Sequence, residues 1–354
     1  MKFNFFCNPF GFGGYAIHGR NMLRAMRFED WDVACIPDTQ VNEFPPDPVL
    51  RDTLIRGMKP RGKCLGLKLD LALPRRVATF SGKPQIFYTV TEVDRLPPDW
   101  VTSLNNMDEV WTTAEWERKV FLESGVRRPI RVVPEGIDPN IFKPASVSLP
   151  KRNVYRFLAV GKLEERKNYA ALFRAYCEEF EPDEAVELLV HLGQPGNLYE
   201  FLFNLNLGRR HAPIKFSAPV STEEEFANIY HSADAFVLPT RGEGWGLPIM
   251  EAMACGLPVI TTGIGPMLEY AKKQTALLLD YELVKARDPV FDHIFEWGRW
   301  AEPNIAQLRQ FMRRLFQNPA EGRAIGRRAA AEIYTKWTWR QAVGKAEEAL
   351  RHVI

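Results

Sequence analysis

The chain has 354 residues, enough for two domains of ordinary size. Its 46% apolar content supports real cores, and a net charge of +2 gives no global attraction to polyanions. No run approaches the roughly 18 apolar residues of a transmembrane helix. The five cysteines are scattered, odd in number and without a CxxC pair, which indicates neither a zinc site nor a disulfide framework and fits a reducing cytoplasm.

The start, Met1-Lys2-Phe3-Asn4-Phe5-Phe6, is apolar but meets Asn8, Pro9 and glycines too soon for a signal peptide; it reads as a first strand, Lys2 to Asn8. Gly11, Gly13 and Gly14 follow, then a helix from about Ala16 to Met26 that carries His18 and Arg20. A glycine-rich turn after a first strand lets backbone approach a ligand closely. The spacing is not the G-x-G-x-x-G of dinucleotide binders, so NAD is a poor expectation. Asp32 to Pro37 reads as a second strand. From Arg51 to Lys83, nine Lys or Arg stand against two acids, Asp52 and Asp70. That segment is either a solvated basic face or a surface for an anionic acceptor: a lipid headgroup, a phosphorylated glycan or nucleic acid. Few aromatics are interleaved, which weakens the nucleic-acid version. Ile86 to Val90 is a strand ending in Thr91-Glu92-Val93-Asp94-Arg95, polar residues where open α/β sheets bind ligands. Asp108 to Thr113 is another, with Thr113 as a cap for a helix from Ala114 to Glu123.

Arg156 to Val160 is a buried strand. Lys162, Arg166 and Lys167 follow at the turn before a helix from Tyr169 to Glu178. Three cations in six residues at such a turn suit a diphosphate; the alternative is a solvated turn neutralised by Glu164 and Glu165. Leu188 to Leu192 and Ile214 to Val220 are further strands, and Thr222 with Glu225 forms a capping-box pattern. Arg241 to Thr262, R-G-E-G-W-G-L-P-I-M-E-A-M-A-C-G-L-P-V-I-T-T, organises the rest. Ala235 to Pro239 is the strand before it. Pro248 suits a first helical turn, Gly256 a left-handed stop, and Pro258 to Thr262 the next strand. A glycine loop feeding a helix N-terminus attracts anions, phosphates above all. Glu243, beside such an anion, suits sugar hydroxyls, and Glu251, about two turns on, suits ribose hydroxyls. Two carboxylates for hydroxyls and a helix dipole for a diphosphate describe a nucleotide-sugar site. Gly263-Ile264-Gly265-Pro266 starts a helix carrying Glu269. Ile305, Leu308, Phe311, Met312 and Leu315 form an apolar stripe, with Arg309, Arg313 and Arg314 outside it on a solvated face.

Glu243 to Glu251 in this glycine, proline and strand context resembles the E-x(7)-E motif of the family 4 retaining glycosyltransferases. The resemblance covers nearly the whole chain and is most specific at Arg156–Lys167 and Ala233–Thr262. It implies an α/β GT-B fold: two Rossmann-like domains facing a cleft, with a last helix from Trp339 to Ile354 crossing back to the first domain. Ile130 to Asp138, with V-P-E-G-I-D, resembles the family's last strand before the linker, here Asn140 to Lys151. Domains of 1–143 plus about 339–354, and of 152–338, follow. Gly13 and Gly14 match the loop that faces the donor. Lys162 stands where the family has Arg, keeping charge but losing bidentate geometry, and Lys167 matches its Lys. Val220 falls where backbone meets the base. The run Y-T-x-x-E-x-D-R-L-P-P-x-W, from Tyr88, is similar to a subset of bacterial members. Many relatives carry a donor-touching histidine here; this chain has Glu92, an acceptor-side candidate or the ion-pair partner of Arg95. His18 is structural or a second acceptor-side candidate.

The implied reaction moves a sugar from a nucleoside-diphosphate sugar, the co-substrate, to an acceptor hydroxyl with retention. Lys167, Arg166 and Glu243 are catalytic; Lys162, Gly244, Trp245, Gly246, Leu247 and Glu251 complete the donor set. No cofactor is expected, and no Asp-x-Asp metal site is evident. The implied setting is glycan biosynthesis in the cytoplasm, or at the periphery of a membrane. A sugar-nucleotide epimerase, or a non-catalytic sugar-nucleotide-binding protein on the same scaffold, is the alternative. Nucleobase, sugar, acceptor and oligomeric state are not written in the sequence.

Overall fold

The computed structural model describes residues 2–11, 13–37, 45–59, 64–70, 82–145, 152–193, 196–208 and 210–351. The chain divides into two compact units: 1–136 with 293–298 and 337–354, and 137–292 with 299–336. The first division therefore falls at Gly136, ahead of the linker read from the sequence, and 293–298 returns to unit 1.

Unit 1 is built on six parallel strands: β1 (Lys2–Phe6), β2 (Asp32–Ile36), β3 (Leu65–Leu69), β4 (Gln85–Tyr88), β5 (Glu109–Thr112) and β6 (Ile130–Val132), in the order β2-β1-β3-β4-β5-β6. Phe3 is level with Val33 on one side and Leu65 on the other. Helices cover a parallel sheet on both faces, so its strands are nearly continuous apolar runs; Phe3, Phe5, Phe87 and Trp111 are fully buried in this one. β3 corrects the reading of 51–83 as one basic face. Lys68 lies on this interior strand, 2% exposed, and Arg56 is tied to Asp52 and Asp32. Residues 60–63 and 71–81 of that segment lie outside the described residues.

Thr113 does not cap the next helix, Glu115–Ser124, whose N-cap is Ala114. Its hydroxyl donates instead to Glu117, at 2.5 Å. The helix Trp339–Leu350 belongs to unit 1 and opens with a capping box between Thr338 and Gln341. The last three residues of the helix read from the sequence, 352–354, lie outside the described residues.

Unit 2 repeats the scheme with β7 (Tyr155–Gly161), β8 (Val186–Leu192), β9 (Ile214–Phe216), β10 (Ala235–Leu238), β11 (Val259–Thr262) and β12 (Leu277–Leu279), all parallel in the order β12-β11-β10-β7-β8-β9. The helix Glu223–His231 has the expected capping box. An antiparallel hairpin, β13 (Tyr281–Lys285) and β14 (Arg299–Pro303), follows. Two helices follow, Ile305–Gln317 and Pro319–Lys336. Arg309 and Arg313 do not merely face solvent: they pair with Glu178, Glu179 and Glu184, and Arg313 lies 4.5 Å over the Phe180 ring. The helix Pro319–Lys336 packs against the chain just after helix Leu247–Ala254. Gly326 permits this, because a Cβ there would lie 1.9 Å from the Gly256 carbonyl oxygen.

Candidate active site

The carboxyl edge of the unit 2 sheet carries the central stretch. β10 ends at Leu238, and the loop to the helix Leu247–Ala254 holds Glu243, Gly244, Trp245 and Gly246. Gly246 is the N-cap with φ +88, a left-handed conformation that suits glycine. A Cβ there would meet the Tyr270 hydroxyl at 2.9 Å and Met267 Cγ at 3.0 Å. That hydroxyl donates to the carbonyl pair of Trp245 and Gly246, at 2.9 and 3.0 Å. Trp245 is buried against the Tyr270 ring. Pro248 stands in the first turn, and Gly256 takes the left-handed stop with φ +82. The local geometry is thus that of an anion-binding helix start.

The second loop follows β7. Glu165–Lys167 form a single 3-10 turn, and Asn168, with φ +57, closes it and opens the helix Tyr169–Glu179. This kink turns Lys167 inward. Its Nζ lies 2.7 and 2.8 Å from the two Glu243 carboxylate oxygens, and Arg166 Nη1 donates to Glu243 Oε2 at 3.0 Å. Arg166 Nη2 is 2.8 Å from Glu164, and Lys162, more exposed, stands 3.7 Å from the same carboxylate. Two hydrogen bonds to one carbonyl lock the loops together: Arg241 N donates to Arg166 O at 2.6 Å, and Thr240 Oγ1 to the same oxygen at 2.9 Å.

Lys167 and Glu243 are each about 5% exposed. Burial lowers the Lys167 pKa below its ordinary value, with Glu243 pulling it back up. For Glu243, burial pushes upward, but the Lys167 and Arg166 charges outweigh it and hold the carboxyl below the usual carboxylate range. Glu243 is therefore ionised at neutral pH. Sequence reasoning places Glu243 on sugar hydroxyls and misses its place as counter-ion of the cations. The pair is 76 residues apart in the chain, and only the fold joins them. Glu251, 2% exposed, accepts a 2.5 Å hydrogen bond from Tyr230. Val220 is half-buried beyond β9, and nearby His191 is bonded to Ser217 Oγ at 2.7 Å.

Unit 1 holds the remaining candidates. Gly13 is the N-cap of the helix Gly14–Phe28, and a Cβ at Gly13 or Gly14 would meet nothing, so the backbone there is open to approach. Arg20 braces this loop by donating to the Pro9 and Gly11 carbonyls at 3.1 and 2.9 Å. His18 lies in the interior, 1% exposed, with Nδ1 2.9 Å from Glu135 and its ring edge-to-face on Tyr88. Its surroundings are those of a packed core group. Glu92 is half-buried just after Thr91, whose backbone N–H is held by Glu117 at 3.0 Å. Among the described residues, no cluster of three or more His, Cys, Asp or Glu is arranged to hold a metal ion. No helix among them is long and apolar enough to cross a membrane.

Residues 154–289 match the profile of the family described as Glycosyl transferases group 1. A D-inositol 3-phosphate glycosyltransferase of Corynebacterium jeikeium is 34% identical over 154 residues, 38% of this chain and 36% of that protein. A longer match, to D-inositol 3-phosphate glycosyltransferase 1 of Catenulispora acidiphila, is 25% identical and covers 69% of this chain and 56% of that one. The match thus spans a third to a little over half of these relatives. Among solved structures, sucrose-phosphate synthase of Thermosynechococcus elongatus aligns over 99% of both chains with a TM-score of 0.74 at 18% identity. Anabaena HepE in complex with UDP-glucose aligns over 99% of this chain and 100% of its own, with a TM-score of 0.69 at 14% identity. This chain accordingly has the GT-B fold of two Rossmann-like units, and its residues 154–289 match the Glycosyl transferases group 1 family.

Proposed function

We propose that the chain transfers a sugar from a nucleoside-diphosphate sugar to an acceptor hydroxyl, with retention of anomeric configuration and without a metal ion. The observation that carries this reading is the buried cluster in which Lys167 and Arg166, from the turn after β7, meet Glu243 on the loop that leads to the N-terminus of helix Leu247–Ala254. Buried cations beside a helix start form a preorganised site for a departing diphosphate. Charge already aimed at a developing anion is often the largest catalytic contribution.

In the proposed reaction the bond between the anomeric carbon and the diphosphate oxygen breaks with its electrons going to phosphate. Lys167, Arg166, Lys162 and the N–H groups at Gly244–Leu247 receive that charge. The acceptor oxygen bonds to the same face of the sugar, and its proton passes to a departing phosphate oxygen. Glu243, which neutralises the cations in the ligand-free protein, turns its oxygens to donor-sugar hydroxyls as the diphosphate takes over the cations. Glu251 holds the ribose, Gly13 and Gly14 approach the donor, and Glu92 serves the acceptor. The relatives' names make a phosphorylated polyol the first acceptor to try, and the scattered thiols, none in a disulfide among the described residues, favour a reducing compartment.

Nucleotide release from a panel of UDP-, GDP-, ADP- and dTDP-sugars, with and without EDTA, tests the reading. Slow, EDTA-insensitive release from one donor, and an axial-to-axial outcome by proton NMR once an acceptor is found, are expected. Release abolished by EDTA removes the metal-free part, and an inverted product removes retention. An epimerised donor formed without acceptor replaces transfer with epimerisation.

A further inference from the structure

We infer that Glu302, on the hairpin strand β14, is a positioning residue for the diphosphate-binding cations; the inference rests on the transfer reading above. The two oxygens of its carboxylate grip two different loops. Oε1 accepts from Asn168 Nδ2 at 3.2 Å, and Oε2 accepts from Arg241 Nε at 2.7 Å. Asn168 is the left-handed residue directly after Lys167, and Arg241 lies two residues before Glu243. One carboxylate thus fastens the residue that aims Lys167 to the residue that leads into Glu243.

Arg241 carries the connection further. Its Nη1 donates to the Glu165 carbonyl at 2.9 Å, and its backbone N–H donates to the Arg166 carbonyl at 2.6 Å. The backbone of β14 joins in, with Ala301 N donating to Arg241 O at 3.0 Å. Both ends of the cation turn are thereby fixed relative to Glu243. The hairpin does not need the Glu302 side chain for its own ladder, which pairs Tyr281 with Pro303 through Lys285 with Arg299. Glu302 is also partly open to solvent, so core packing does not explain a carboxylate there. Its geometry acts on spacing: without it the 3-10 turn and the glutamate loop lose a shared anchor, and the cations spend less time aimed at one point.

The test uses the whole chain, with inorganic pyrophosphate as a base-independent probe by calorimetry and with release kinetics on whichever panel donor turns over. Glu302→Ala is expected to weaken pyrophosphate about tenfold and to lower kcat by about tenfold or more, as for lost charge-assisted hydrogen bonds, while the unfolding midpoint stays close to that of the parent. Glu302→Gln, which keeps an acceptor for Arg241, is expected to recover part of both. Glu282→Gln, opposite Glu302 on the same hairpin, is expected to change neither. In an Arg241→Met background, most of the Glu302→Ala effect should vanish, because the two act in series. Parent-like affinity and kcat in Glu302→Ala would overturn the inference while leaving transfer intact. An effect undiminished in the Arg241→Met background, or matched by Glu282→Gln, would overturn it as well. A parent protein that binds neither pyrophosphate nor any panel nucleotide would overturn the transfer reading itself, and this inference with it.

Discussion

Lys167 is surrounded by protein and held by a carboxylate it shares with Arg166. Removing it leaves Glu243 facing Arg166 alone and takes away the most buried cation of the cluster. Lys167→Ala is expected to lower turnover by roughly 100-fold, the scale of losing one preorganised donor to a developing anion; steady-state release assays on folded protein give the number. Glu251→Ala should act differently. It removes the partner of Tyr230 and, on the proposed reading, the ribose contact, so free-nucleotide affinity falls while the unfolding midpoint drops modestly. Calorimetry separates the two residues, and unchanged nucleotide affinity would remove Glu251 from the ribose. The cations and carboxylates were legible as residues because motif spacing and a strand-to-helix turn confine them. The ion pairing between Glu243 and Lys167 was not legible, since two loops far apart in sequence create it.

At the level of elements, the glycine loop and helix Leu247–Ala254 appear where Pro248 and Gly256 place them. Gly246→Ala tests the reason. The left-handed φ and the 2.9 Å approach to the Tyr270 hydroxyl both oppose a methyl group. A loss of about 1–3 kcal/mol in unfolding free energy is expected, together with weaker anion binding; urea titration checks the first. A parent-like stability would mean that the loop relaxes freely. β3 escaped the sequence reading because its two small or charged members, Gly66 and Lys68, sit in a basic segment whose neighbours suggest surface. The hairpin escaped because β13 is short, exposed along its whole length and buries none of its apolar residues, Tyr281, Leu283 and Val284. In helix Pro319–Lys336, Gly322 and Gly326 stand where the helix meets Pro258 and Gly256.

For the whole molecule, pH is the informative variable. Glu117 is fully buried, and burial pushes its pKa up to about 8 even though Thr91, Thr112 and Thr113 all donate to it. Between its ordinary value near 4.5 and about 8, the folded state binds a proton that the unfolded state has released. Stability from this group is therefore full below the ordinary value and falls as pH rises through that window, by up to about 1.4 kcal/mol per pH unit. The parent's unfolding midpoint is expected to decline between pH 5 and 8 more steeply than that of Glu117→Gln. Parallel pH profiles would remove Glu117 as the cause. Glu243 works in the opposite sense: its contribution is present above the ordinary carboxylate pKa and is lost only as pH falls through its lowered value.

The fold as two Rossmann-like sheets was legible because buried parallel strands announce themselves as apolar runs. The return of 293–298 to unit 1 was not, because no local pattern marks it. The central claim is that the Lys167–Arg166–Glu243 cluster is a diphosphate site. Calorimetric titration of the parent and of Lys167→Ala with UDP, GDP, ADP and dTDP tests it most directly. One nucleoside diphosphate is expected to bind the parent in EDTA and to bind Lys167→Ala much more weakly. Equal binding by both proteins, or none by the parent, would contradict it.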